Sequence, residues 1–287
     1  MRKDRPDGCR VAILGLADDL GVRLNAGRAG AIDGPTAFRT ALARYGVAQP
    51  HGFLWPGIFD AGDVVPAEGA DEAALTETHR RVTDAVRAVL AMGLFPIGIG
   101  GGHDLTFPFV RAVIEHWKAA GVAVDHGVYF DAHLDVRETP GSGMAFRRLY
   151  EDCGVRDLRV VGFNPYTNAH EHVQWFLDHG GKGAAPSAMA FPERFHGADW
   201  FLSVDLDVLG SSVAPGVSAP NPDGMSVHDL AKALSYAARF EELRCVDFME
   251  LNPAFDADGR TARVAVHLFL TFLHGFAFRG VGVGGAS

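Results

Sequence analysis

Three short motifs of this chain contain aspartate, two of them together with histidine, and each motif directly follows an apolar run. Their sequences are GGGHD at 100–104, DAHLD at 131–135 and SVDLD at 203–207. Imidazole and carboxylate groups bind metal ions and exchange protons. In an open parallel sheet, ligands bind at the carboxyl ends of the strands, where polar residues that follow an apolar run are placed. The motifs therefore indicate a shared site with metal or acid–base chemistry.

The first motif combines three glycines with a histidine. Glycines let the backbone turn sharply and approach other groups closely, and they would deliver His103 to the edge of the predicted sheet. A glycine-rich turn with an incidental histidine is the alternative interpretation of this motif alone. A phosphate-binding loop is not favoured, because neither GxxxxGK[ST] nor GxGxxG is complete.

The second and third motifs alternate polar and apolar residues. In an extended chain, alternate side chains share a face, so Asp131, His133 and Asp135 are expected to point in one direction. The same periodicity places Asp205 and Asp207 on one side of their strand. Carboxylates this close repel one another unless a cation lies between them. A locally satisfied surface turn is the alternative for the second motif, and salt bridges to arginines are the alternative for the third.

Together, the three motifs predict a binuclear metal centre. Its candidate ligands are His103, Asp131, His133, Asp135, Asp205 and Asp207. This oxygen-rich, sulfur-free set suits Mn²⁺ better than structural zinc, which prefers cysteine and histidine. Six ligands are enough for two ions that share one bridging carboxylate and ionise a water molecule. We therefore expect two Mn²⁺ per chain.

Short apolar runs alternate with longer helical patterns along the whole chain. This alternation predicts an α/β fold, a three-layer sandwich with a central, mainly parallel sheet flanked by helices. No repeat or domain boundary is visible, so residues 1–287 are expected to form one domain. The predicted strands are Val11–Leu14, Leu94–Ile99, Val128–Phe130, Leu158–Val161, Trp200–Val204 and Cys245–Met249.

Apolar spacing also predicts individual helices. Two are expected at 71–92 and 226–240, the second with Ser226 as its capping residue. Pro35 is expected at the first position of another helix. The segment 264–278 is predicted to be a buried helix, because it is too short and too polar to span a bilayer. Residues 180–190, rich in glycine, alanine and serine, are the best candidate for a mobile loop.

The bulk composition limits the partners and the compartment. The chain is 48% hydrophobic and 21% charged with a formal net charge of -9, a soluble globular profile. Its mild acidity argues against nucleic acid as a partner. Three separated cysteines form neither a zinc-binding pair nor a disulfide framework, so free thiols in a reducing cytoplasm are expected. The N-terminus lacks the apolar segment of a signal peptide, so neither export nor membrane insertion is predicted.

The three motifs, followed by MELNP at 249–253, resemble the signature motifs of the ureohydrolase family of arginase, agmatinase and formimidoylglutamase. They occur in the family's order and span most of the chain. The resemblance implies an arginase-like α/β fold with a central parallel sheet and a binuclear manganese site. It also implies a homo-oligomer, commonly a trimer or a hexamer.

Two segments are most similar to the formimidoylglutamase branch. SGMAFR at 142–147 resembles its SGxxFR pattern, whereas arginase-like members carry an SGNxHG context in which the histidine is a proton shuttle. After the third motif the chain continues as VLGSSVAPGVSAP, whereas arginases and agmatinases continue with Asp-Pro. Gly210 departs from the branch, since proline is expected there. GVRLNAGR at 21–28 and GP at 34–35 are consistent with the same branch.

The resemblance implies hydrolysis of N-formimidoyl-L-glutamate to L-glutamate and formamide. Either Asp135 or Asp207 would hold the proton that passes to the leaving amine. Glu250 would pair with the cationic amidinium and orient it. Two carboxylates distinguish this substrate from arginine, and they would be bound by Arg137, Ser142 and Arg147.

Other functions remain open from the sequence. Each arginine could be a solvated or structural charge. A guanidine hydrolase acting on arginine, agmatine or a guanidino acid is the alternative within the family, although agmatine has no carboxylate to meet Arg137 and Arg147. A non-catalytic relative that binds metal or an amino acid is a third possibility, against which the complete ligand set argues.

Overall fold

Eight parallel strands form one sheet in the computed structural model, which describes residues 6–46, 48, 54–184 and 197–279. Every pair of neighbouring strands is parallel, and the order across the sheet is β2-β1-β3-β8-β7-β4-β5-β6. The strands are β1 Cys9–Leu16, β2 Gly57–Val64, β3 Phe95–Gly100, β4 Val124–Phe130, β5 Asp157–Val161, β6 Lys182–Ala184, β7 Asp199–Asp205 and β8 Leu243–Met249.

Helices cover both faces of this sheet. One layer is built from α3, α4 and α5, and the other from α2, α7 and α8. The helices in the described residues are α1 Leu20–Leu24, α2 Gly34–Leu42, α3 Glu72–Ala91, α4 Thr106–Ala119, α5 Ala145–Cys153, α6 His170–Asp178, α7 Val227–Ala237 and α8 Arg260–Phe276. The predicted α/β sandwich is confirmed.

The central strands are apolar on both faces because both faces are covered. In β4, Val128 and Phe130 pack on one side, whereas Tyr129 packs on the other. In β7, Leu202 and Val204 join the first side and Phe201 the second. Burial on both sides explains why these strands are continuous apolar runs and do not alternate with polar residues.

All six predicted strands are present, and each is longer than its apolar run or shifted by a residue. Two strands were missed, β2 and β6, and both lie at the edges of the sheet. β2 contains two glycines and two aspartates and leaves most of its residues partly exposed, so it lacks an apolar run. The loop predicted at 180–190 is wrong for Lys182–Ala184, which form β6, and 185–190 lie outside the described residues.

Two helices begin at a side-chain cap. The Asp71 carboxylate accepts a hydrogen bond from the Ala74 N–H and caps α3. The Ser226 hydroxyl likewise accepts from the Asp229 N–H, as the sequence predicted for α7. Pro35 is the second residue of α2, one position later than predicted, because the helix begins at Gly34. None of the helices in the described residues is long and apolar enough to cross a membrane.

Candidate metal centre

The four central strands, β3, β8, β7 and β4, end at one edge of the sheet. Their carboxyl ends lead to His103, Glu250, Asp205 and Asp131, and all four of these residues are buried. The strand order therefore brings together motifs that are far apart in the chain.

The glycines before His103 allow a close approach between two segments of backbone. A Cβ atom at Gly101 would lie only 1.9 Å from the Asp18 carbonyl oxygen. Gly101 instead donates to the Leu16 carbonyl, and Gly102 donates to the Asp18 carbonyl. His103 then begins a short 3-10 turn that leads into α4. The glycines thus hold the turn against the end of β1.

The second motif is not extended, so the periodicity argument for it was wrong. β4 ends at Phe130, and 131–135 form a loop. The Asp131 Oδ1 atom accepts a hydrogen bond from the His133 N–H at 2.6 Å, and Asp135 adopts a left-handed φ of 49°. This loop, and not strand alternation, directs the three side chains towards one another.

The third motif is corrected in the same way. Asp205 is the last residue of β7, but Asp207 belongs to the 3-10 turn Leu206–Val208. The Asp205 Oδ1 atom accepts from the Asp207 N–H at 2.8 Å and closes this turn. The turn brings both carboxylates to the same side although they are not neighbours on one face of a strand.

One group of potential ligands surrounds the His103 Nδ1 atom. This nitrogen lies 2.9 Å from Asp135 Oδ2, 3.1 Å from Asp131 Oδ2 and 3.1 Å from Asp205 Oδ2. A second group surrounds the His133 Nδ1 atom, which lies 3.3 Å from Asp131 Oδ1 and 3.0 Å from Asp207 Oδ2. Each group brings its donor atoms within 4.8 Å of one another. Asp131 belongs to both, with one oxygen facing each.

Burial and crowding disfavour the charged form of the aspartates in these groups. Burial raises the pKa of Asp131, and the neighbouring Asp135 and Asp207 raise it further. Burial and the Asp207 charge likewise raise the pKa of Asp205 well above its ordinary value. Among the described residues, no lysine or arginine lies within 4.0 Å of any of the four aspartates. The arginine salt bridges considered for the third motif are therefore absent from this part of the chain.

Several potential metal-binding atoms of the two groups lack hydrogen-bond partners. They are His103 Nδ1, Asp131 Oδ2 and Asp207 Oδ1, and none has a partner among the described residues. A buried polar atom without a partner costs free energy, about 1–3 kcal/mol for a neutral group and more for a charged one. Two metal ions would satisfy these atoms and balance the carboxylates, so the donor set fits the predicted binuclear centre.

Glu250 lies beside these groups at the end of β8. Its Oε1 atom accepts a hydrogen bond from the His103 N–H at 2.8 Å, and its Oε2 atom has no partner among the described residues. Glu250 directly follows β8 and adopts a left-handed φ of 67°. Burial raises its pKa to about 7, although the nearby Ser218 side chain and the His103 backbone N–H oppose this shift.

The candidate substrate residues lie on the segment that follows the second motif. Arg137 is exposed, and no carboxylate of the described residues lies within 4.0 Å of its guanidinium. Arg147 is more enclosed, since its Nε atom donates to Glu151 at 2.9 Å and its guanidinium lies over the Trp175 ring. The Ser142 hydroxyl accepts a hydrogen bond from the Asn25 amide at 2.9 Å.

A protein-family model named "Arginase: Arginase family" matches residues 9–275. The chain belongs to the arginase family. It is 35% identical to the formimidoylglutamase of Aromatoleum aromaticum over 90% of this chain and 81% of that protein. It is 34% identical to the formimidoylglutamase of Ralstonia nicotianae over 96% of this chain and 87% of that protein. These comparisons confirm the family assignment made from the four motifs.

Solved structures of family members have the same fold. The crystal structure of Trypanosoma cruzi formiminoglutamase with Mn2+2 superposes with a TM-score of 0.84 and 32% sequence identity, covering 96% of each chain. The formimidoylglutamase of Bacillus subtilis also gives a TM-score of 0.84, but at 22% identity it supports the fold alone. The fold predicted from the alternation of strands and helices is thus that of the arginase family.

Two buried residues that the motifs did not single out as functional lie behind His103. The His103 Nε2 atom is 2.9 Å from Ser203 Oγ, which is 2.5 Å from Asp247 Oδ1. Burial raises the pKa of Asp247 to about 6, against the opposing charge of His103 and the Ser203 hydrogen bond. Ser203 is the first residue of SVDLD, but nothing in the sequence indicates that Asp247, inside an apolar strand, reaches it.

His172 is another residue that the sequence analysis missed. It lies in the first turn of α6, with 22% of its side chain exposed. Burial and the positive charge of Arg137 lower its pKa, whereas Asp135 is among the charges that raise it. The ring is thus within the electrostatic reach of both the centre and the candidate substrate arginines. No spacing rule connects it with the motifs, because α6 is separated from the second motif by a helix and a strand.

Proposed function

We propose that this chain hydrolyses N-formimidoyl-L-glutamate to L-glutamate and formamide. The observation that carries the proposal is the pair of ligand groups that share Asp131. The relatives named formimidoylglutamase support the choice of substrate. The SGMAFR segment at 142–147 supports the same branch of the family. In the reaction, water adds to the amidine carbon, the bond from that carbon to the glutamate nitrogen breaks, and formamide leaves.

The two groups define the proposed ligands. His103, Asp135 and Asp205 would hold one Mn²⁺ and His133 and Asp207 the other, with Asp131 shared between them. Two bound Mn²⁺ ions would supply the Lewis acidity that makes water a nucleophile near neutral pH. The chain must then bind and orient the amidine and deliver a proton to the glutamate nitrogen.

Glu250 is proposed to bind the amidinium. Its Oε2 atom is buried, has no partner among the described residues and lies next to the backbone of His103. A carboxylate in this position accepts charge-assisted hydrogen bonds from a planar cation and fixes its orientation. Its other oxygen stays bound to the His103 N–H, so binding the substrate does not require that link to break.

Asp135 is proposed to hold the proton that passes to the leaving nitrogen. Its side chain is 12% exposed, whereas that of Asp207 is 2% exposed. A proton carrier must exchange with solvent after each turnover, and only Asp135 of this pair has access to water. Asp207 is then left with a ligand role alone.

Arg137 is the better candidate for the carboxylates of the substrate. It is exposed and has no carboxylate partner within the described residues, whereas Arg147 already pairs with Glu151. Arg147 and Ser142 would act mainly through the shape of the segment that carries Arg137. Arg147, although it lies in the SGxxFR pattern, is therefore the weaker candidate.

A substrate panel tests the proposal against its alternatives. Purified manganese-loaded protein should release formamide from N-formimidoyl-L-glutamate and no urea from arginine, agmatine or guanidino acids. Urea release would make the chain a guanidine hydrolase with the same metal centre. Metal binding without any product would indicate a non-catalytic relative.

We further propose a cytoplasmic homo-oligomer, a trimer or a hexamer, on the basis of the family resemblance and the soluble composition. Light scattering after size-exclusion chromatography tests this assembly, and a monomer would contradict it.

A further inference from the structure

The two ring nitrogens of His103 face different surroundings. Nδ1 faces the oxygens of three aspartates and has no hydrogen-bond partner among the described residues. Nε2 faces away from them, towards the Ser203 hydroxyl at 2.9 Å. The ring is 1% exposed, so it is shielded from bulk solvent.

The hydrogen bonds behind the ring have a defined direction. The Ser203 and Asp247 oxygens are 2.5 Å apart, the length expected for a hydroxyl that donates to a carboxylate. A serine hydroxyl has only one proton, so Ser203 accepts from His103 Nε2 and can also accept from the Thr106 hydroxyl, whose oxygen lies 3.4 Å away. His103 therefore donates from Nε2, which leaves Nδ1 as the nitrogen that can offer a lone pair to a metal ion.

Packing holds the ring in the same orientation. The Phe146 ring meets the His103 ring edge to face, with centroids 5.3 Å apart and an interplanar angle of 82°. Phe146 is in turn stacked on Tyr129 at 3.6 Å, and both are fully buried. The aromatic contacts restrict rotation of the imidazole, but they do not select which nitrogen carries the proton.

We propose that Ser203 and Asp247 form a relay that holds His103 in the Nε2–H tautomer and aims its Nδ1 lone pair at the first metal. The proposal rests on the two-metal function above. Ser203 and Asp247 are positioning residues in this scheme, since neither reaches the substrate. Partners of this kind, behind a ligating histidine, typically change metal affinity by about 10- to 100-fold.

Two variants of nearly unchanged shape test the relay. Asp247→Asn keeps the size but supplies an amide N–H, which can reverse the hydroxyl of Ser203 and place the imidazole proton on Nδ1. Ser203→Ala removes the acceptor for Nε2. Titration of metal-free protein with Mn²⁺, followed by calorimetry and electron paramagnetic resonance, measures each site separately.

In both variants we expect affinity for one Mn²⁺ to fall by roughly 10- to 100-fold while the second ion binds as in the wild type. At intermediate Mn²⁺ the resonance spectrum should then show isolated ions in place of a coupled pair. The double variant should lose no more affinity than the weaker-binding single variant, because both changes break the same relay. Additive losses would contradict a relay.

Asp256→Asn is the matched control. Asp256 is also a buried carboxylate, and it accepts from the Thr261 and Ala262 N–H groups at the start of α8. This variant should lose thermal stability and keep both metal affinities. If Asp247→Asn behaves like it, or binds both ions with wild-type affinity, the relay is refuted while the proposed function stands. If wild-type protein does not bind two ions, the proposed function fails instead.

Discussion

Replacing Glu250 by glutamine separates substrate binding from metal binding. The glutamine carbonyl can still accept the hydrogen bond from the His103 N–H, which spans 2.8 Å in the wild type. The change therefore removes only the negative charge that Oε2 presents to the amidinium. We expect metal content to stay unchanged while turnover falls.

The size of this loss follows from the burial of Glu250. Two opposite charges about 4 Å apart interact by about 4 kcal/mol at the effective dielectric constant of about 20 that describes protein sites. Desolvation reduces the net value, so roughly 2–4 kcal/mol of transition-state binding should disappear. This loss corresponds to a decrease in kcat/KM of roughly 30- to 900-fold.

The pH dependence of the stability of the metal-free protein provides a second test of the Glu250 charge. Burial raises the pKa of Glu250 from 4.5 to about 7, so the folded state binds more protons than the unfolded state between these values. Stability must then fall as the pH rises from 4.5 to about 7, by about 3 kcal/mol for this group. Metal-free Glu250→Gln should consequently melt at a higher temperature than wild type above this range.

Steady-state kinetics with N-formimidoyl-L-glutamate, metal analysis and thermal unfolding together test these expectations. Glu115→Gln is the control, since it removes the same charge from a surface residue that pairs with Arg87. Loss of metal from the Glu250 variant would make Glu250 a ligand. Wild-type kcat/KM in that variant would refute its role with the amidinium.

Three further outcomes are expected. Arg137→Ala should lower kcat/KM for N-formimidoyl-L-glutamate by a factor equivalent to about 1–2 kcal/mol of transition-state binding. Arg147→Ala should lower it by less, since Arg147 pairs with Glu151. The reverse order in kinetic measurements would make Arg147 the main contact. Removing metal with a chelator should lower the melting temperature, and the decrease should grow as the pH rises above 3.8. The reason is that the pKa values of Asp131 and Asp205 are raised in the metal-free fold. A melting temperature that does not depend on the chelator would contradict the proposed metal centre. Asp157→Asn should lower the free energy of unfolding by roughly 1 kcal/mol at neutral pH, and by progressively less as the pH falls from 3.8 to about 2. The reason is that Arg159, and to a smaller extent Lys182, lower the pKa of Asp157 to about 2. Chemical denaturation at both ends of this pH range measures the difference.

The sequence contained the chemistry of the centre but not the geometry that assembles it. Residue types in three motifs, together with the apolar runs before them, were enough to predict six converging side chains at strand ends. The reason given for their convergence was wrong, because the strands end at Phe130 and Asp205: Asp135 adopts a left-handed backbone and Asp207 lies in a 3-10 turn. Local turns that are closed by the aspartates' own oxygens cannot be distinguished from a strand by period two alone.

The same division holds for the fold. The central strands were predictable because burial on both faces makes them apolar along their whole length. Edge strand β2 was not predictable, because it pairs with only one strand and is partly exposed, so its residues need not be apolar. The helix start at Ser226 was predictable because the cap is a local hydrogen bond between residues three apart.

The sequence by itself thus determined the family, the central layers and the types of ligand, all of which depend on local pattern. Only the tertiary structure decided that Asp131 serves both ligand groups, that Asp247 reaches His103 through Ser203, and that Arg137 rather than Arg147 is free of a carboxylate partner within the described residues. These relations depend on the order β3-β8-β7-β4, which places segments distant in the chain side by side. Distances between such segments are set by packing, and no spacing within the sequence encodes them.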